Sequence, residues 1–105
     1  RSLCLCTAFS VTQAALPQAT SDALDCFHHG VSTWLAAVFR LALSDATIRC
    51  VTDPQAEAAA ALAQVEGAQV MARAARDPAR FEAAITTLRA RALTRIGPTE
   101  NCDVR

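Results

Sequence analysis

The chain has 105 residues, of which 24 are alanine and only seven are glycine or proline. This composition excludes a collagen-like chain or a linker and favours helices, and the length allows only one domain. The formal net charge is zero, which argues against a self-sufficient nucleic-acid-binding domain, because such domains are normally basic. Large apolar residues make up about a quarter of the chain, so we expect a thin core.

The first half of the sequence predicts two helices. Residues 3–16 lack glycine and proline and end before Pro17, which favours a short helix of about three turns. Residues 17–44 predict one long helix, with Gly30 in its middle marking a close packing contact. Its apolar residues recur at threes and fours and form one continuous stripe: Leu24, Phe27, Val31, Trp34, Leu35, Val38, Leu41 and Ala42.

The second half predicts two more helices with clear starts. Asp53-Pro54 supplies an N-cap and a proline at the first helical position, for a helix that runs to about Arg76. Asp77-Pro78 repeats this start, and Gly97-Pro98 ends the fourth helix. We therefore expect an all-α domain of four helices over residues 1–96, followed by a flexible tail over residues 97–105.

The third helix predicts a homodimer, because it carries apolar residues on more than one face. Ala59, Ala63 and Gly67 lie four residues apart on one face, where another backbone can approach closely. A second copy of the chain would cover this face in a four-helix bundle made by the last two helices of each copy. The alternative is an alanine-rich monomer helix that tolerates exposure. The predicted interface comprises Ala59, Leu62, Ala63, Gly67, Gln69, Phe81, Ile85, Leu88 and Ala92.

The charged residues give little indication of catalysis. Arg73, Arg76 and Arg80 resemble a phosphate site, but nearby acids favour local ion pairs or a solvated face. No phosphate loop or nucleophile elbow occurs, so we expect no enzyme. Glu66 is expected to make a polar contact rather than to act as a general base.

The cysteines and histidines predict neither a disulfide framework nor a metal site. The five cysteines are an odd number without paired spacing, which favours reduced thiols and a cytoplasmic location. Adjacent helical residues such as His28 and His29 cannot easily share an ion, and neither Cys-x-x-Cys nor His-x-x-x-His occurs. No apolar run approaches the length of a membrane span. We therefore expect no metal, no cofactor and no membrane partner.

The order of several short motifs resembles the C-terminal regulatory domain of TetR-family transcriptional repressors. The resemblance covers roughly residues 3–96, with Thr7 standing where a glycine is expected. Its elements, in chain order, are Leu3-Cys4-Leu5-Cys6, Leu16-Pro17, a long helix, Asp53-Pro54, Glu66-Gly67-Ala68, Ala72-Arg73 and Asp77-Pro78-Ala79-Arg80-Phe81.

This resemblance implies inducer binding and dimerisation by the chain. DNA would be a partner only through an N-terminal helix-turn-helix that the chain does not supply. A small apolar effector would bind between the helices, in a pocket that preceding helices complete, and would relieve DNA binding. Its expected contacts on the first two helices are Phe9, Gln13, Phe27, His28, Val31, Trp34 and Val38.

Two other functions fit the sequence. One is a metal- or thiol-responsive helical sensor that uses Cys4, Cys6, Cys26 and His29. The other is a structural helical dimerisation module without a cavity of ligand size.

Overall fold

The computed structural model describes residues 4–93, and within them the chain is all-α without strands. The helices are α1 (Leu5–Ser10), α2 (Gln18–Asp45), α3 (Pro54–Ala75) and α4 (Ala79–Leu93), with a 3₁₀ turn at Gln13–Ala15. The prediction of four helices with one long member is confirmed. The predicted helix end at Gly97-Pro98 and the tail 97–105 lie outside the described residues.

Helix α1 is shorter than the sequence predicted. The hydroxyl of Ser10 donates to the Cys6 carbonyl at 2.8 Å, and that of Thr12 donates to the Ala8 carbonyl at 3.1 Å. Such bonds compete with the regular helix ladder. Leu16 is extended ahead of Pro17, with φ −88° and ψ 145°, as the proline ring requires. The single three-turn helix over residues 3–16 is therefore wrong in extent.

The starts of α3 and α4 follow the predicted capping. The Asp53 carboxylate accepts from the Gln55 and Ala56 amides at 3.0 and 3.3 Å, and Pro54 takes the first helical position. Asp77 accepts from the Ala79 amide at 3.0 Å. Each carboxylate satisfies amides that have no partner inside the helix, so both predicted start signals are confirmed.

Helix α3 lies at the centre, packed between α2 and α4 and touched by α1. The core cluster consists of Phe39 with Ala36, Ala58 and Ala61, and Leu35, Ile48, Val51 and Leu88 pack around it. Alanine lets the helix backbones approach closely but buries little apolar area per residue. Phe39 is the largest of the buried side chains of residues 4–93. Because the other buried members of the core cluster are alanines, the expectation of a thin core is confirmed.

The apolar stripe predicted along α2 is divided between the core and the surface. Leu24 and Ala42 are buried, whereas Phe27, Trp34 and Leu41 are exposed. Only part of the stripe is buried in the single chain. The buried side of α2 also includes Ala36 and Phe39, which are not members of the stripe. The close contact predicted at Gly30 is also wrong, because a Cβ atom there would meet nothing within 4 Å.

Arg91 fastens α4 to the loop that joins α2 and α3. Its guanidinium donates to Glu57 Oε2 at 2.8 Å and to the carbonyls of Arg49 and Cys50 at 3.0 and 3.3 Å. The Arg49 amide in turn donates to the Arg91 carbonyl at 3.2 Å. Because Arg91 and Glu57 are both largely shielded from water, these bonds hold the loop against both helices.

Replacing Arg91 by alanine is expected to lower the free energy of unfolding by about 1–3 kcal/mol, since a shielded carboxylate and carbonyls lose their donor. Urea denaturation followed by far-UV circular dichroism measures this loss. Arg89→Ala is the control, because Arg89 pairs with Glu82 at 3.0 Å in an exposed position, where a pair is worth about 0–1 kcal/mol. Equal losses in the two variants would contradict this role for Arg91.

The cysteines differ from the expectation of five reduced thiols. Cys50 is disulfide-bonded, whereas Cys4, Cys6 and Cys26 are free. Spacing along the chain did not reveal the bond, because disulfide connectivity depends on which residues the fold brings together. Within residues 4–93, no helix combines the length and apolar character needed to cross a membrane.

Candidate functional site

A polar pair joins α2 to α3 near the middle of the domain. His28 Nε2 lies 2.9 Å from Glu66 Oε1, and each side chain is about one-quarter exposed. The His28 ring also lies against Phe27, with centroids 6.1 Å apart and planes tilted by 59°. The sequence predicted a polar contact for Glu66 but did not identify His28 as its partner. Because both groups remain partly open to water, a polar group of a ligand has access to them.

The predicted ligand-binding residues differ in their exposure. Val31 and Val38 are half-buried on α2, as is His28, and Phe9 is half-buried on α1. Gln13 is exposed in the 3₁₀ turn. Phe27 and Trp34 are exposed on α2. Five of these seven residues lie on α2, where Phe27 and Trp34 are exposed and His28, Val31 and Val38 are half-buried.

The exposed side of α2 forms an apolar arc, which we define as Phe27, Trp34 and Leu41. These side chains recur every seven residues, and 49%, 65% and 64% of their surfaces are exposed. A seven-residue spacing places them in one row along a helix. Contiguous apolar patches on a protein surface commonly mark sites of interaction, so this arc is a candidate binding surface.

A separate open cavity of about 1270 Å³ lies where α1, α3 and α4 meet. Its lining includes Val11 at the end of α1, residues of the last two turns of α3, and Phe81 on α4. None of the seven predicted ligand-binding residues lines it, although Gln69 and Phe81 of the predicted dimer interface do. The sequence did not reveal this cavity because it depends on how the end of α1 sits against the turn between α3 and α4.

The charged residues around this cavity are only partly paired. Asp77 lies 4.0 Å from Arg80, and Glu82 pairs with Arg89 at 3.0 Å. Of the local ion pairs expected for the three arginines, the pair of Arg80 with Asp77 is therefore present. Arg73 and Arg76 are exposed, which agrees with the expectation that they lie on a solvated face.

The outer side of α3 carries a small-residue face, which we define as Ala59, Ala63 and Gly67. All three are exposed, and a Cβ atom at Gly67 would meet nothing within 4 Å. Of the other residues predicted for the dimer interface, Ala92 is exposed, whereas Leu62, Gln69, Phe81, Ile85 and Leu88 are half-buried. In the single chain, Leu88 packs against the core cluster and Gln69 accepts a hydrogen bond from the Cys4 amide at 3.0 Å.

The residues of the sensor hypothesis are divided between two places. Cys4 and Cys6 lie together at the start of α1, and Cys26 and His29 are exposed on α2. Within residues 4–93, no group of three or more histidine, cysteine or acidic side chains is arranged to hold a metal ion.

The features described above are candidate binding surfaces. The apolar arc and the small-residue face offer apolar area, and the His28–Glu66 pair offers polar atoms between two helices. The chain matches no protein-family model, no curated protein and no solved structure.

Proposed function

We propose that the chain is the ligand-binding and dimerisation part of a TetR-like transcriptional repressor. The exposed small-residue face of α3 is the observation that carries this proposal. The motif order from Leu3-Cys4-Leu5-Cys6 to Asp77-Pro78-Ala79-Arg80-Phe81 provides the family resemblance. In this proposal the chain is not an enzyme, and DNA is bound by a helix-turn-helix outside these 105 residues.

The small-residue face supports pairing of two copies. Ala59, Ala63 and Gly67 follow one another along a little more than two turns of α3 and leave its backbone open to close approach. Helix α4 runs antiparallel beside α3, since Gln64 donates to the Ala84 carbonyl at 2.7 Å and Arg91 pairs with Glu57 at 2.8 Å. Two such helix pairs related by a two-fold axis form a four-helix interface.

The apolar arc of α2 supports binding of a small apolar effector. Phe27, Trp34 and Leu41 offer apolar surface, and the His28–Glu66 pair lies beside Phe27 as a polar contact. Sites for small molecules typically combine a largely apolar lining with a few placed polar groups. In the proposal, further helices cover the arc.

The proposed mechanism is a shift between two dimer shapes. An effector that binds one shape more tightly than the other moves the population toward it. Since α2 carries the apolar arc on one side and contacts α3 on the other, a displacement of α2 reaches the dimer interface. Relief of DNA binding follows in this scheme, and the cytoplasmic location expected of such a repressor stays a prediction.

Self-association of the chain tests this proposal directly. Sedimentation equilibrium of the 105-residue chain is expected to give a dimer at a concentration on the order of tens of micromolar, with a Kd in the micromolar range or below. The pairing needs no DNA-binding part, because α3 and α4 supply the interface. A clean monomer at that concentration would rule the proposed dimer out.

A further inference from the structure

The open cavity where α1, α3 and α4 meet is bordered by apolar residues from three parts of the chain. Val11 lies at the end of α1, Val70 on α3 and Phe81 on α4. The cavity volume is about 1270 Å³, whereas sites for small molecules usually occupy roughly 300–1,000 Å³. A small molecule with an apolar body therefore fits there, with room left for water.

Three side chains on the same lining carry hydrogen-bond donors that have no partner within residues 4–93. Gln69 Oε1 accepts from the Cys4 amide at 3.0 Å, which leaves the side-chain nitrogen of Gln69 as the free end. Arg73 and Arg76 also line the cavity, and neither guanidinium forms an ion pair or a hydrogen bond in the described part of the chain. A ligand's acceptors can therefore bind these donors without displacing a contact of the protein.

The two acids of the lining are engaged by other arginines. Asp77 lies 4.0 Å from Arg80, and Glu82 pairs with Arg89 at 3.0 Å. Neither of these arginines lines the cavity. Because an arginine outside the lining offsets each acid, the two arginines of the lining keep an uncompensated positive charge. The charge around the cavity therefore favours an anionic ligand.

We propose that this cavity binds a small organic carboxylate with an apolar chain. A guanidinium matches a carboxylate through two parallel N–H···O hydrogen bonds, so Arg73 and Arg76 bind the head of the ligand. The side-chain nitrogen of Gln69 donates to the same head. The apolar chain lies against Val11 and Phe81, where it is partly removed from water.

This site differs from the effector surface proposed above in its place and in the chemistry of its ligand. None of Phe27, Trp34 and Leu41 lines the cavity. The apolar arc suits a largely apolar effector, whereas the cavity requires a negative charge. The inference is drawn from the single chain, so it does not rest on the repressor function.

Isothermal titration calorimetry of the 105-residue chain with sodium octanoate tests the site. Octanoate is expected to bind with a Kd on the order of 0.1 mM. The uncharged probe 1-octanol has the same chain length and is expected to bind at least about tenfold more weakly, because it cannot form charge-assisted hydrogen bonds. Inorganic phosphate carries charge but no apolar body, and it is also expected to bind at least about tenfold more weakly.

The double variant Arg73→Gln/Arg76→Gln is expected to raise the octanoate Kd at least about tenfold, since hydrogen bonds to the charged head are lost. Both arginines are exposed, so the variant should keep its helices, which far-UV circular dichroism verifies. Arg40→Gln is the control, because Arg40 is exposed on α2 and does not line the cavity. This control should keep the wild-type Kd.

The proposal would be overturned by a wild-type chain that binds no octanoate at millimolar concentrations, or by octanol or phosphate binding as tightly as octanoate. An unchanged Kd in the double variant, or an equal rise in Arg40→Gln, would also overturn it. A dimeric chain that binds no octanoate would lose this site alone. A monomeric chain that binds octanoate would keep the site and lose the proposed dimer.

Discussion

The variant Gly67→Leu is expected to be monomeric at concentrations where the wild-type chain is dimeric. In a single chain the position is open, because a Cβ atom at Gly67 would meet nothing within 4 Å. In the proposed dimer, the small-residue face of α3 approaches a second helix, and leucine separates helix axes that would otherwise pack at about 8–10 Å. We expect the Kd to rise at least about a hundredfold, which corresponds to about 2.7 kcal/mol.

The same substitution is not expected to unfold the monomer. Leucine has a higher helix propensity than glycine by up to about 1 kcal/mol, and nothing in the chain obstructs it at this position. Sedimentation equilibrium gives the Kd, and circular dichroism reports the helix content. A folded monomer would therefore locate the interface at this face.

Gly30→Leu is the matched control for this experiment. Gly30 is also helical and open to solvent, but it lies on α2 rather than on α3. The control variant should keep the wild-type Kd. An unchanged Kd in Gly67→Leu would place the interface elsewhere. An equal rise of the Kd in both variants would show that any bulky addition disrupts association.

The helix starts were predictable because they depend on local chemistry. Asp53 and Asp77 accept hydrogen bonds from amides two or three residues ahead, and the aspartate-proline sequence specifies this arrangement without any distant contact. The early end of α1 is also local in origin. Serine and threonine occur both inside and outside helices, however, so Ser10 and Thr12 gave no clear signal before their hydrogen bonds were seen.

The division of α2 between core and surface was not predictable from α2 alone. Its apolar residues cover a wide arc, and the part that becomes buried is decided by where Ala58 and Ala61 of α3 come to lie. Periodicity therefore identified the helix but not its inner face. Phe27 and Trp34 belong to the apolar stripe and were expected to contact an effector, and they are exposed in the single chain.

The candidate site was only partly predictable for a related reason. Glu66 was identified as a polar contact because it is an acid in an apolar stretch, whereas its partner His28 lies 38 residues away. The cavity beside Phe81 likewise depends on residues from distant segments, since Val11 at the end of α1 lines it too. Sequence spacing reports neighbours within one helix, so contacts between helices required the structure.

Replacement of Phe39 by alanine is expected to cause the largest loss of stability. Phe39 is only 4% exposed, and its cluster neighbours Ala36, Ala58 and Ala61 are too small to fill the space that it would leave. Phenylalanine-to-alanine substitutions in cores cost about 3–5 kcal/mol, against a total of about 5–15 kcal/mol for a typical domain. Urea denaturation at a fixed chain concentration measures the change, because dimerisation would otherwise alter apparent stability.

Phe27→Ala provides the control for this loss, because it makes the same chemical change on the same helix. Phe27 is 49% exposed on the apolar arc, and exposed substitutions usually change stability by no more than about 0.5 kcal/mol. A large loss in Phe39→Ala with little loss in Phe27→Ala would establish that α2 uses one apolar side for folding and leaves the other free for a ligand. Equal losses would instead mean that the apolar arc is covered in solution, which places a partner on α2 even without an effector.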